Sequence, residues 1–370
     1  MEVSVAMNNN RAIGIMTVPE EYFLMNYGSF FQHYALRQIL IGFGYRPYRM
    51  LYRSRMRSTV KCLLAPFRVW KSKRLFRALA RVRFVLDYWR VIGRLFECQP
   101  RNAYAYVVGS DSIWMYENAR AFLIDRMYDG RKIAYAVSSA WDNASQCSWW
   151  ATFMRKVDDT YYAVSAREEV GRKICQACMP HQRVECVLDP TMLLSKSDYL
   201  TLVSEVKYFS EPVLLCYVVN IWSSTALPLE LLESTAHSLG CRLKIIGIQG
   251  AEDYVPIKYF IHPSPLDFLR AIRDASYVVT NSFHGLAFSI IFRKQFAFLT
   301  QLSRVYGNQN CRQDEVLIKM NLINRRIASN RLEANSLLDV LQTPLNLLAL
   351  DNRISEARAL SLHWLEGALS

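Results

Sequence analysis

The chain alternates short apolar runs with longer stretches whose apolar residues recur every three or four positions, the pattern of strands laid against helices. AIGIMTV reads as a strand, and GSFFQHYALRQILIGFG follows as a helix closing on Gly42 and Gly44. RPYRMLY, AYVVGSDS, KIAYAVSS and residues 161–165 and 184–188 read as further strands, with SQCSWWATFMRKV a helix among them. At DPTMLLSKSDY a proline and a polar run mark a seam, after which the alternation restarts. VLLCYVVN, RLKIIGI, YVVTNS and QFAFL are strands, and LPLELLESTAHSLG, PLDFLRAIRDA and FHGLAFSIIF are helices. Such alternation predicts α/β layers on mainly parallel sheets.

At 370 residues the chain is long for one core. Two α/β domains are expected, residues 1–195 and 205–340, with ISEARALSLHWLEGAL in a helical segment, residues 341–370, packing back across the join. Hydrophobic residues at 52% and charged residues at 21% exclude a disordered chain. No apolar run approaches the roughly 18 residues that span a bilayer. MEVSVAMNNNR lacks the basic and apolar regions of a signal peptide, so a cytoplasmic setting is expected. Nine cysteines without a repeating pattern argue against a disulfide framework. Cys175, Cys178, His181 and Cys186 include a C-x2-C pair, but the short step to the histidine fits zinc poorly. They read as packing cysteines at a helix end.

The net charge of +13 is local. Residues 46–101 hold 16 Lys and Arg against Asp87 and Glu97, leaving the rest of the chain about neutral. Within that segment Arg and Lys mix with Leu, Phe, Val and Trp at helical intervals. Three readings are open: a solvated face over a core stripe, a surface for anionic lipid or a pyrophosphate-linked substrate, or nucleic-acid binding.

Ligands of open α/β sheets lie outside the carboxyl ends of the strands, so chemistry is sought there. In TNSFHG, Asn281 or Ser282 can cap a helix whose first amides suit a phosphate or carboxylate, Gly285 leaves room for a ligand, and His284 projects among these donors. A histidine merely satisfied at a helix start is the plainer reading. Arg167 follows a strand in YAVSAREEVGRK and suits bidentate clamping of an anion. An ion pair with adjacent Glu168 or Glu169 is a poor alternative, because neighbouring residues do not face each other. Gly109, Ser110 and Asp111 turn after VV, which delivers a carboxylate to the cleft or simply caps a helix. Asn26 and Gly28 open the first helix, with Gln32 one turn on; a ligand loop and a plain N-cap are both open.

The ordered set NYGSFFQHYAL, VVGSDSIW, VSAREE, VLDPTMLL and PSPLDFLRAIRDASYVVTNSFHGLAFSIIF resembles the polysaccharide pyruvyl transferase family, from about residue 13 to residue 330. The resemblance implies two Rossmann-like domains facing each other across a cleft, arranged as in GT-B glycosyltransferases. It also implies transfer of the enolpyruvyl group of phosphoenolpyruvate to a sugar, forming a pyruvate ketal and releasing phosphate, with no metal or other cofactor. His284 and Arg167 are thereby expected in phosphoenolpyruvate binding and catalysis, with Ser282, Asn281 and Gly285 at the phosphate. Asp111, Gly109, Ser110, Asn26 and Gly28 fall on the acceptor side. Ser112 stands where the family usually has glutamine, and Phe31 where it has leucine. The acceptor the resemblance implies is a sugar of a polysaccharide or lipid-linked oligosaccharide at the inner face of the membrane, which the basic segment 46–101 would approach. A nucleotide-sugar GT-B glycosyltransferase and a non-catalytic nucleic-acid binder are the alternatives; no nucleic acid is expected as a partner.

Overall fold

The computed structural model describes residues 11–17, 26–50, 75–93, 102–113, 129–138, 148–219, 227–247, 254–300, 310–328 and 333–370. The first sheet is built from β1 (Ala12–Met16), β2 (Arg46–Arg49), β3 (Asn102–Val108), β4 (Asp129–Val137), β5 (Ala163–Ala166) and β6 (Glu185–Cys186). Its order is β2-β1-β3-β4-β5-β6, with every pairing parallel. The second sheet is built from β7 (Val213–Val218), β8 (Arg242–Gly247), β9 (Tyr277–Thr280), β10 (Gln295–Leu299) and β11 (Arg326–Ile327), in parallel order β11-β10-β9-β7-β8. In both, the second strand pairs on one side of the first and the third on the other. That reversal leaves a crevice at the carboxyl ends of β1 and β3, and of β7 and β9.

Helices α1 (Tyr27–Gly42), α2 (Leu75–Val91), α3 (Ser148–Thr160) and α4 (Glu169–Cys178) accompany the first sheet. Two short helices, α5 (Pro190–Leu193) and α6 (Lys196–Leu200), lead out of it. α7 (Leu229–Ser238), α8 (Pro265–Asp274), α9 (Phe283–Ile291), α10 (Cys311–Lys319) and α11 (Ala334–Gln342) accompany the second, and α12 (Leu347–Leu369) ends the chain. The seam expected at DPTMLLSKSDY is not a polar linker. Proline is favourable in a helix's first turn, Asp189 caps it by accepting from Thr191 N–H, and Pro190–Leu193 is wholly buried.

α1 and α9 explain how the halves join. Tyr27–Leu36 is buried without a break, and so is every residue of α9. A helix buried on all sides has to be enclosed, and these two meet across the join: the Phe31 and Phe288 rings lie 5.0 Å apart. Phe31 also meets Tyr199 and Phe268, which gives the departure at this position a packing role. One continuous core therefore runs between the sheets, with a smaller cluster on the far side of each. α12 touches both halves: Ser361 Oγ accepts from Leu188 N–H, Tyr104 donates to the Leu369 carbonyl, and Arg293 pairs with Asp351.

Candidate active site

The reversal in the second sheet is closed by TNSFHG. Thr280 Oγ1 donates to the Tyr217 carbonyl and accepts from Ser282 N–H. Asn281 commits both ends of its amide to the Val219 backbone, at 2.8 and 2.9 Å. Ser282 caps α9, its hydroxyl 3.5 Å from Gly285 N. A Cβ on Gly285 would lie 2.1 Å from Thr280 Oγ1, so only glycine lets strand turn into helix this tightly. Asn281 and Gly285 thus build the turn, and α9 presents its positive end where His284 sits.

His284 is buried, with Nε2 lacking any hydrogen-bond partner and 3.9 Å from Asp189 Oδ1. Its other face lies against α1, whose N-cap is Asn26, accepting from Ser29 N–H. Burial lowers the pKa of His284; Asp189 and Asp111 oppose this, while Arg167 and Arg312 add to it. The imidazole is neutral at pH 7.

The reversal in the first sheet carries the other groups. Gly109, at φ 128°, turns so tightly that a Cβ would lie 2.1 Å from the Tyr135 carbonyl oxygen. Ser110 Oγ lies 2.5 Å from the Ala136 carbonyl and 3.2 Å from Asp189 Oδ2. Asp111 follows at φ 77°, its carbonyl held by the Ile113 and Ser138 amides. Its carboxylate accepts from Arg167 at 3.2 Å.

Arg167 does form ion pairs, the shorter ones with distant loops and a longer one with adjacent Glu168, which the sequence argued against. Nη1 donates to Asp189 Oδ2 at 2.8 Å, Nη2 to Asp111, and the guanidinium lies 4.0 Å over the Phe283 ring. Glu168 is 3.8 Å away and is itself held by Ser138 Oγ. Burial works against the charge on Arg167, but the three carboxylates outweigh it and hold the guanidinium firmly protonated. Burial likewise pushes Asp111 up, but Arg167 and Arg312 hold it well below the usual carboxylate range.

Sequence reasoning passed over two residues that complete the cluster, Asp189 and Arg312. Asp189 is its hub, accepting from Gln32 (2.6 Å), Arg167, and the amide and hydroxyl of Thr191. It follows β6, so the strand-end rule that singled out Arg167 also points to it. Gln32 belongs to the same network. Arg312, in the first turn of α10, crosses from the second half to Ser112 Oγ at 3.1 Å and to Asp111 at 3.5 Å, with Nε buried and unpartnered. No motif marks it. The side chain at position 112, where the resemblance put a glutamine in doubt, is thus its partner.

Among the described residues, no group of three or more His, Cys, Asp or Glu side chains is placed to hold a metal. Cys175 is buried in the first domain's outer cluster, Cys186 Sγ is 3.6 Å from Glu169, and His181 pairs with Asp158.

Two parallel sheets with their reversals turned on one charged site define a GT-B-like α/β protein, and a solved structure shares that fold. The UDP-GlcNAc 2-epimerase of Neisseria meningitidis, bound to UDP-GlcNAc, is 10% identical with a TM-score of 0.50, over 95% of this chain and 99% of that one. A UDP-glucosyltransferase from Polygonum tinctorium is 10% identical at 0.47, covering 97% and 98%. The UDP-GlcNAc 2-epimerase of Methanocaldococcus jannaschii is 10% identical at 0.47, covering 90% and 92%. No curated protein matches the sequence significantly. The family model for polysaccharide pyruvyl transferase matches residues 26–303, and the chain belongs to that family. Arg312 lies beyond the matched span.

Proposed function

We propose that the protein moves the enolpyruvyl group of phosphoenolpyruvate onto two hydroxyls of a sugar in a polysaccharide or lipid-linked precursor. The carrying observation is the buried, unpartnered Nε2 of His284 at the positive end of α9, beside the unpartnered Nε of Arg312. A buried polar atom without a partner is unfavourable unless a ligand completes it.

The reaction balances without a further reactant. C3 gains a proton as one sugar hydroxyl bonds to C2 and gives up its own proton, which restores the donor; a second hydroxyl then bonds to C2 as the C2–O bond to phosphate breaks, its proton departing to solvent or phosphate. His284 meets the phosphate. A dianion beside it offsets the effect of burial, so the imidazole takes up a proton on binding and becomes a candidate donor to C3. Arg312 and the N-terminus of α9 supply positive charge to the phosphate.

Arg167 is assigned a positioning role in addition to any contact with substrate, since Asp111 and Asp189 already occupy its fork. Asp111, held ionised by two guanidiniums, is a poor base and orients the acceptor hydroxyl instead. Ser282 shapes the phosphate end through its cap, while Asn26 and Gly28 bound the acceptor side.

Calorimetry with phosphoenolpyruvate and with UDP-GlcNAc tests this directly. Phosphoenolpyruvate should bind, His284→Ala should weaken it by about tenfold or more, and phosphate release should require a sugar acceptor. Binding of the nucleotide sugar with none of phosphoenolpyruvate would overturn the proposal in favour of glycosyl transfer.

A further inference from the structure

We infer that the outward face of α2 is a docking surface for an anionic lipid bilayer. α2 buries Phe84 and Tyr88 against the N-terminal part of α1, with Phe84 6.0 Å from the Tyr27 ring and Tyr88 5.8 Å from Phe30. Its Asp87 accepts from Leu266 N–H at the start of α8. The apolar requirement of the helix is met on that side, yet the other side is not polar. Leu79 is 40% exposed, Leu86 50% and Trp89 37%, and exposed Arg83 and Arg90 stand between them. Positions 79, 83, 86 and 90 follow the four- and three-residue steps of a single helical stripe.

A groove of about 350 Å³ between α2 and α8 continues this face, lined by Arg83, Leu86, Arg90, Leu202, Ser264 and Arg270. Its two carboxylates are engaged, Asp87 with the Leu266 amide and Asp267 with Arg270 at 2.9 Å. Arg83 and Arg90 form no ion pair among the described residues.

Charge and apolarity together select the occupant. α2 alone carries Arg77, Arg81, Arg83 and Arg90 against Asp87, inside the most basic segment of the chain. A second copy of the same face would be repelled. An acidic protein or a nucleic acid would use the arginines but leave Leu79, Leu86 and Trp89 without a role. Anionic headgroups above acyl chains satisfy both sets, as for helices that lie in the membrane interface. The geometry gives docking a consequence: Tyr27, under Phe84, adjoins Gly28, which abuts His284. One helix layer, about 10 Å, separates the docking face from the residues around His284. The surface stands on its own observations and survives if the proposed chemistry fails.

The test is co-sedimentation of the full chain with phosphatidylcholine vesicles, with and without phosphatidylglycerol, at low and high salt. Binding is expected only with phosphatidylglycerol and only at low salt, weakened on the order of tenfold by Arg83→Gln/Arg90→Gln. Leu86→Gln/Trp89→Gln should weaken it as well, and thermal melting checks that both double variants fold. No binding at low salt overturns the inference, as does unchanged binding by both variants. DNA binding that survives Leu86→Gln/Trp89→Gln, without vesicle binding, would assign the face to nucleic acid instead. Self-association lost in these variants, again without vesicle binding, would assign it to a second copy.

Discussion

The imidazole of His284 occupies the space that a side chain at Gly28 would need: a Cβ there would lie 2.0 Å from Nδ1. The residues come from opposite domains, so the absence of one methyl group sets how closely the two helix N-termini approach. Gly28→Ala should therefore push His284 aside. A displacement near 1 Å in an active site lowers turnover on the order of a hundredfold. Stability should fall far less, because alanine favours a helix by roughly 0.5–1 kcal/mol over glycine, which offsets part of the clash. Transfer kinetics alongside chemical denaturation check this; wild-type turnover would show that the position of His284 does not matter.

Asp189 is the next point of leverage. Asp189→Asn keeps the volume but removes the charge facing Arg167 and sets an amide among groups that donate to it. Breaking one side of a buried pair costs about 3–5 kcal/mol. Asp189→Leu/Arg167→Met should recover most of that stability while remaining inactive, since an apolar replacement leaves no buried charge unpaired. Urea denaturation of both variants reads the difference. A double variant no more stable than Asp189→Asn would show that packing, rather than charge, governs this site.

How far the sequence reaches is clearest at these same residues. His284, Arg167 and Asp111 were legible because each lies within four residues of the end of an apolar strand, and strand ends are where an α/β sheet exposes its residues. Arg167 was legible as a cation but not as the partner of Asp111 and Asp189, since those pairings join loops 56 and 22 positions away. Asp189 hid behind its proline, which reads as a break although it begins a buried helix. Strands held their places while their ends moved by a residue or more, as at β6, found at Glu185–Cys186 within the expected 184–188. Arg312 was not legible at all: its role depends on the two halves meeting, and no local pattern encodes that.

Arg312 should act on affinity more than on stability. It is partly exposed, and among the described residues it donates one hydrogen bond, to Ser112 across the cleft. Arg312→Lys keeps the charge but loses the planar fork and the free Nε. The KM for phosphoenolpyruvate is expected to rise about tenfold, with little change in melting temperature. An unchanged KM would remove Arg312 from the phosphate's surroundings.

Acid stability offers a prediction that needs no substrate. Burial holds His33 down to about 3, with Arg37 adding to the effect, and burial lowers His284 as well. Both are neutral in the folded protein, whereas in the unfolded chain a histidine titrates near 6.5. Below about 6.5 the unfolded state therefore binds more protons, and stability must fall as the pH drops from there toward 3. Asp111 and Asp189, both held low, lose their contribution only once the pH falls below about 4. The upper part of the window thus belongs to the histidines. Among the described residues His33 makes one side-chain hydrogen bond, 3.4 Å from Thr17 Oγ1, so His33→Gln removes the titration at small cost in packing. Denaturation midpoints measured from about pH 7 to about pH 5, spanning the histidine range, should slope less steeply in His33→Gln than in the wild type. Parallel slopes would mean that His33 takes up its proton without unfolding.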